Sequence, residues 1–360
     1  MAFTFSMKDT YRQSVEAASG GRQTVLYDDK GYPSIMNIIP KLTFKDVGIG
    51  SSNTVLPAFL VNGVEKPEIF IGTFPAYVHD GRAHSLPGQV PKVYTNHDQA
   101  VAYCRAKGKG WHCTTNAEYA AIALWCKKNG FYPRGNNNYG SDHGAPHETC
   151  RPGTKGSDGR TNLGITGSGP AAWTHDGTPN GIYGLNGDCW EWATGLRTKE
   201  GEFQIIPNND AAILDKDLSA SSVEWKAILE DGILVAPGTA NTLKIQPKSS
   251  SDKTPTIVKA VSVVTTDGAD DYAISQFKSM AVEEGISQIP DIMKALALYP
   301  SDDSDHGGNY FYARNNGERC FFRGGRWGNG AYAGVFFLNG VNTRGDCSDG
   351  SGFRAAYVSL

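Results

Sequence analysis

His143, His147 and Cys150 are side chains of zinc-binding type within a short stretch, with Asp142 and Glu148 among them. A closed zinc site takes four such ligands and no clear fourth stands at a suitable spacing, so a polar loop is the expectation there. Asp302, Asp303 and Asp305 offer carboxylate oxygens of the kind calcium takes, which leaves calcium the one cofactor open, although a solvated loop is the stronger expectation. The seven cysteines are odd in number and scattered, which argues against a disulfide framework or a zinc ribbon. Cys104, Cys113 and Cys126 lie on or beside expected helices and read as small buried hydrophobes. No phosphate-cradling loop, dinucleotide fingerprint or metalloprotease helix motif occurs. Catalysis is therefore not the expectation, and recognition becomes the question.

The bulk properties frame that question. A chain of 360 residues can build a sizeable core, and its net charge of -3 gives no broad positive field for nucleic acid or anionic membrane. With 43 glycines and 11% aromatic residues, a loop-rich domain pinned by aromatic anchors is expected rather than a helical bundle. Met1 to Ser19 mixes charged and apolar residues without the continuous apolar run of a secretory signal, and no later run is long enough to span a bilayer. A soluble product of a cytoplasm is expected, with neither nucleic-acid binding nor membrane insertion.

Several elements are needed to position any binding surface. Residues 1–50 read as a polar lead-in, an attachment or assembly segment with one strand at Gln23 to Tyr27, closed by a Gly-Ile-Gly-Ser-Ser boundary at 48–52. Asn62-Gly63 between two apolar runs signals a hairpin. Asn96 with Gln99, and Thr115 with Glu118, carry the spacing of capping boxes and predict two short helices. From Gly135 to Gly169 nine glycines mark a long loop that must be tied down by polar contacts or a metal. Trp190 and Trp192 alternate on one face of an expected strand and read as core, while Glu191 should satisfy neighbouring backbone donors. Residues 200–270 read as an insertion containing a linker and a strand at Ile257 to Val264; Ser275 to Leu298 reads as two short helical pieces. Beyond Pro300, three strands at Arg319 to Arg323, Ala333 to Leu338 and Phe353 to Val358 should form a small sheet.

Three blocks in order resemble one family. They are Trp111 to Tyr119 (WHCTTNAEY), Gly181 to Trp192 (GIYGLNGDCWEW), and Phe322 to Trp327 (FRGGRW) with Gly352-Phe353-Arg354. The resemblance is to the family that joins the formylglycine-generating enzyme to the variable proteins of diversity-generating retroelements. It spans roughly Thr54 to Leu360 and implies an α+β, C-type-lectin-like fold of the formylglycine-generating-enzyme type, loop-rich, with the inserted segment at about 200–270. The segment from about Arg323 to Arg354 would line an exposed ligand site. The enzyme branch looks for paired cysteines soon after the Gly-Gly-x-Trp stretch, to bind copper. Gly328 to Gly345 holds no cysteine, Cys347 stands alone and Cys320 lies on the other side of Arg323, so no enzyme is expected.

The binding branch implies its own trace. Replacing adenines in the first two bases of Asn codons cannot produce Lys, Glu, Gln, Met or Trp. Those types make up 53 of 360 residues, so about 3.7 are expected by composition in the 25 residues from Gly328 to Gly352, which hold none. Tyr, Ser, Gly, Asn and Asp with an occasional Arg also suit an adaptable contact surface. The resemblance implies ligand contact by Arg326, Gly328, Ala331, Tyr332, Phe337, Val341, Gly345, Asp346, Ser348, Asp349 and Gly350, over a buried framework of Trp327, Val335 and Phe353. Tyr332, Phe337 and Arg326 are expected to dominate affinity. The function implied by the resemblance is that of a non-enzymatic receptor-binding protein, presenting this surface to a host cell-surface protein or glycan. A phage or prophage tail tip is the expected setting, made in the host cytoplasm, with a homotrimer on the fibre and a bacterial cell surface as the alternative location.

Overall fold

Local signals account for the first elements in the computed structural model, which describes residues 9–263, 266 and 268–360. Helix α1 (Thr10–Ser19) starts where the Asp9 side chain accepts the Arg12 N–H and stops at Gly20, whose φ of 62° suits a residue without a Cβ. The sequence pattern alone predicts no helix there. Strands β1 (Gln23–Tyr27) and β2 (Pro33–Pro40) follow, then β3 (Glu68–Gly72). Helix α2 (His97–Arg105), strand β4 (Trp111–Cys113) and helix α3 (Asn116–Lys128) come next. Both expected capping boxes are formed, Asn96 with Gln99 and Thr115 with Glu118.

The second half is strand-rich: β5 (Trp190–Lys199), β6 (Glu202–Ile205), β7 (Lys244–Pro247), β8 (Pro255–Val258), β9 (Tyr272–Gln276) and β10 (Ala281–Val282). After helix α4 (Asp291–Ala295) come β11 (Tyr310–Arg314), β12 (Glu318–Gly324), β13 (Gly334–Asn342), β14 (Ser351–Gly352) and β15 (Ala355–Tyr357). The architecture is α+β and rich in strands. A five-stranded sheet runs β1-β2-β3-β15-β4. A larger sheet runs β9-β11-β13-β12-β5-β6-β7-β8-β10, with β14 added to β5 in parallel. No helix among the described residues is long and apolar enough to cross a membrane.

The larger sheet is buried on both faces near its middle. On one side Phe311, Phe321, Val335, Phe336 and Leu338 join the main core with α3 and β3. On the other, Trp192, Cys320, Phe322 and Phe353 pack together, with Trp190 beside them, as expected of the two tryptophans. Cys104, Cys113 and Cys126 are buried in these clusters.

Several boundaries differ from expectation. The described part of the expected lead-in, residues 9–50, does not stand apart: β2 pairs with β3 from Met36 to Pro40, and Val47 and Ile49 beside the supposed boundary are in the main core. The 200–270 segment does not stand apart either, because β6 hydrogen-bonds to β5 and extends the same sheet through β7 and β8. Its last expected strand is the shorter β8, and Val264 lies outside the described residues. Ser275 to Leu298 holds two short helical pieces as expected, a 3-10 turn at Phe277–Ser279 and the five-residue helix α4, but also the end of β9 and the short β10. The Asn62-Gly63 turn is present, with φ of 50° and 72°, but joins only the two-residue strands Leu60–Val61 and Val64–Glu65.

Candidate ligand-binding surface

Both ends of the 323–354 segment are fixed by fully buried arginines. Arg354 reaches Glu191 on β5 through Nε–Oε2 at 2.8 Å and Nη2–Oε1 at 2.5 Å, and donates to the carbonyls of Gly72 and Tyr183 at 2.7 Å each. This one guanidinium ties both sheets and the loop before β5 together. Glu191 is thus an ion-pair partner and not, as expected, an acceptor for backbone donors. Burial pushes its carboxyl up, against the opposing pull of Arg354. Arg323 faces no carboxylate. Its Nε and Nη2 donate to Asn116 Oδ1 at 3.0 and 2.6 Å, and Nη2 also to the Leu296 and Ala297 carbonyls at the end of α4. Burial lowers its pKa to about 9.

The Gly-rich loop is tied down by polar contacts. Asp142 accepts the Gly144 and Ala145 N–H groups through Oδ1, and the Gly135 N–H and Asn137 Nδ2 through Oδ2. Asn136 donates to the Asn162 carbonyl and to Asp188 Oδ1. Burial raises the Asp188 pKa to about 6, opposed by the Gly164 N–H and Asn136. His143 and His147 are exposed, and among the described residues no three His, Cys, Asp or Glu side chains are grouped to hold a metal ion. Asp302 and Asp305 engage Lys127 and Lys278 at 2.5 and 2.8 Å.

Within the segment, Trp327, Val335 and Phe353 are buried as framework. Ala331, Tyr332, Gly345 and Asp346 are exposed, and a Cβ at Gly345 would meet nothing within 4 Å. Asp346 caps its own turn by accepting the Thr343 N–H at 2.7 Å. Gly328 is exposed, but a Cβ there would lie 3.1 Å from the Tyr139 hydroxyl. Arg326 is half-buried: its guanidinium lies 4.5 Å from the Trp190 ring centroid and 5.0 Å from that of Trp327, and pairs with Asp349 at 3.3 Å. Ser348 and Val341 are half-buried, with the Ser348 hydroxyl 2.9 Å from that of Ser351.

Two expectations fail. Phe337 is only 1% exposed, because it lies beneath Tyr312, with ring centroids 5.4 Å apart. It supports the surface from below. Gly350 is buried, and a Cβ there would come within 2.8 Å of Arg326 Cδ, so this position cannot accept varied side chains without displacing the arginine.

An aromatic stripe beside the segment is absent from the sequence expectations. Tyr332, 44% exposed, lies 4.1 Å from Tyr310, which is 6.2 Å from Tyr312, which is 6.3 Å from Tyr272. Antiparallel pairing of β9 with β11, which sets Ile274 opposite Tyr312 and Tyr272 opposite Arg314, carries the stripe across two strands. Its one local signal is Tyr310-x-Tyr312 itself, since alternate positions of a strand share one face. No protein-family model matches the chain, and comparison with curated proteins also finds no match.

Proposed function

We propose that the chain is a receptor-binding protein of C-type-lectin-like fold, diversified by a retroelement, that attaches a phage or prophage tail tip to its host. The observation that carries this reading is the division within one stretch of chain. Arg323, Trp327, Val335, Phe353 and Arg354 are buried, while Ala331, Tyr332, Gly345 and Asp346 project from the same stretch into solvent. Side chains at those exposed positions can be exchanged without removing a core contact, which a diversified binding surface requires. The residue types missing from 328–352 support the same reading. Tyr332 and Arg326 are of the types that dominate binding energies, and each rests on a second aromatic ring that fixes its rotamer. Affinity per site is modest and is raised by several copies on one particle.

The test is twofold. The neighbouring DNA should hold a near-copy of the codons for 310–354, differing chiefly at adenines, beside a reverse-transcriptase gene. Replacing Arg326, Tyr332 and Asp346 together by alanine should abolish adhesion to receptor-bearing cells while leaving the unfolding midpoint nearly unchanged. Unchanged adhesion of that triple variant would overturn the reading.

A further inference from the structure

We infer that the pocket between the Gly-rich loop and the turn before β13 binds an uncharged sugar residue; this rests on the ligand-binding reading above and names the chemistry of its ligand. The pocket has a volume of about 380 Å³ and is lined by, among others, Tyr132, His143, Gln276, Gly308 and Ala331. That volume falls within the roughly 300–1,000 Å³ range of small-molecule sites.

Charge accounting selects the ligand. Asp142 spends both oxygens on four N–H donors within its own loop. Arg134 is held by both oxygens of Glu148, at 2.8 and 2.5 Å. Asp305, close to Gly308, is engaged by Lys278. A phosphate, carboxylate or ammonium group entering the pocket would thus find no free counter-charge.

The groups left over are neutral and polar. The Gln276 amide has no hydrogen bond to another described residue, which leaves two donors and an acceptor. Nδ1 of His143 lies 3.3 Å from Asn137 Oδ1, which leaves the other ring nitrogen, Nε2, open to a ligand hydroxyl. Tyr132 packs its ring over Gly307, where a Cβ would come within 2.9 Å of it, and adds a phenol hydroxyl. An apolar ligand would leave these polar groups unpaired, whereas a polyol satisfies them while its C–H face covers the tyrosine ring. The site also opens onto the aromatic stripe. Gln276 pairs across strands with Tyr310, which stacks on Tyr332, so a chain of sugars leaving the pocket passes over those rings.

Saturation-transfer NMR on the full chain tests this, with the methyl glycosides of glucose, galactose, mannose and N-acetylglucosamine as probes and N-acetylneuraminic acid as the charged control. Transfer to at least one neutral glycoside is expected, with a dissociation constant on the order of millimolar, and none to the charged sugar. Gln276→Ala should remove the signal and His143→Ala should weaken it several-fold, both with unchanged unfolding midpoints. No transfer to any of the four glycosides, or undiminished transfer in Gln276→Ala, overturns the assignment. If no glycoside binds while the Arg326, Tyr332 and Asp346 triple variant still loses cell adhesion, the receptor is a protein: the sugar assignment falls and the receptor-binding reading stands.

Discussion

Replacing Glu191 by Gln keeps the size of the side chain and removes its charge, leaving the Arg354 guanidinium buried without a counter-ion. Breaking one side of such a pair costs about 3–5 kcal/mol. Arg354→Met should cost as much for the stranded carboxylate, plus about 1 kcal/mol for each of the two carbonyl contacts it abandons, at Gly72 and Tyr183. The Glu191→Gln, Arg354→Met double variant strands no charge and loses those two contacts and the partner of the new amide, about 3 kcal/mol. The single costs then sum to about 8–12 kcal/mol against about 3 kcal/mol for the pair, a coupling of about 5–9 kcal/mol, far above the roughly 0.5 kcal/mol scatter of independent sites. Urea unfolding followed by tryptophan fluorescence at neutral pH measures all four corners of the cycle. A Glu191→Gln cost below about 1 kcal/mol, or single-variant costs that simply add, would refute the claim that this pair fastens the end of the 323–354 segment.

Phe337→Ala should destabilise the fold by about 3–5 kcal/mol, because it empties a buried site, whereas Tyr332→Ala should stay within about 1 kcal/mol of the parent; urea titration separates support from surface. His175 is buried and accepts the Ile182 N–H on Nδ1 at 2.9 Å, and burial lowers its pKa to about 4. The unfolded chain therefore takes up the proton first as pH falls. The contribution of the neutral ring is whole above about pH 6.5 and shrinks toward pH 4, by about 3 kcal/mol at most. His175→Asn, which keeps an acceptor, should flatten unfolding midpoints across that window, and an unchanged slope would show that other groups set it. Deleting residues 1–50 should prevent folding altogether, seen as loss of near-ultraviolet circular dichroism, since β2 is bonded to β3 and Val47 and Ile49 lie in the core.

Features set by neighbours in sequence were legible. The capping boxes of α2 and α3, strand β1 and the Asn62-Gly63 turn each need only residues a few positions apart. Those set by distant partners were not. Glu191 finds Arg354 163 positions away, and nothing near Glu191 announces it. Phe337 stands two positions from the buried Val335, and alternation puts both on one face of β13; its expected exposure came from the resemblance, and its cover, Tyr312, lies on another strand. Residues 200–270 read as an insertion because their glycine- and serine-rich joints look like linkers; their hydrogen bonds to β5 are long-range and leave no local mark. Within the candidate surface, 331, 332, 345 and 346 were positions that the resemblance implied and are exposed, whereas the aromatic stripe depended on an antiparallel pairing of β9 with β11 that only the folded chain reveals.

The order β1-β2-β3-β15-β4 has a consequence for biosynthesis. The strand between β3 and β4 comes from Ala355–Tyr357, far along the chain from both of its neighbours, so the sheet begun by the first forty residues keeps a gap until that strand has been made. Nascent chains must hold two unpaired strand edges open meanwhile, which exposes them to self-association and makes the docking of β15 the event that commits the molecule to its native state. A frameshift anywhere upstream of Ala355 would remove that closing strand and leave the sheet open.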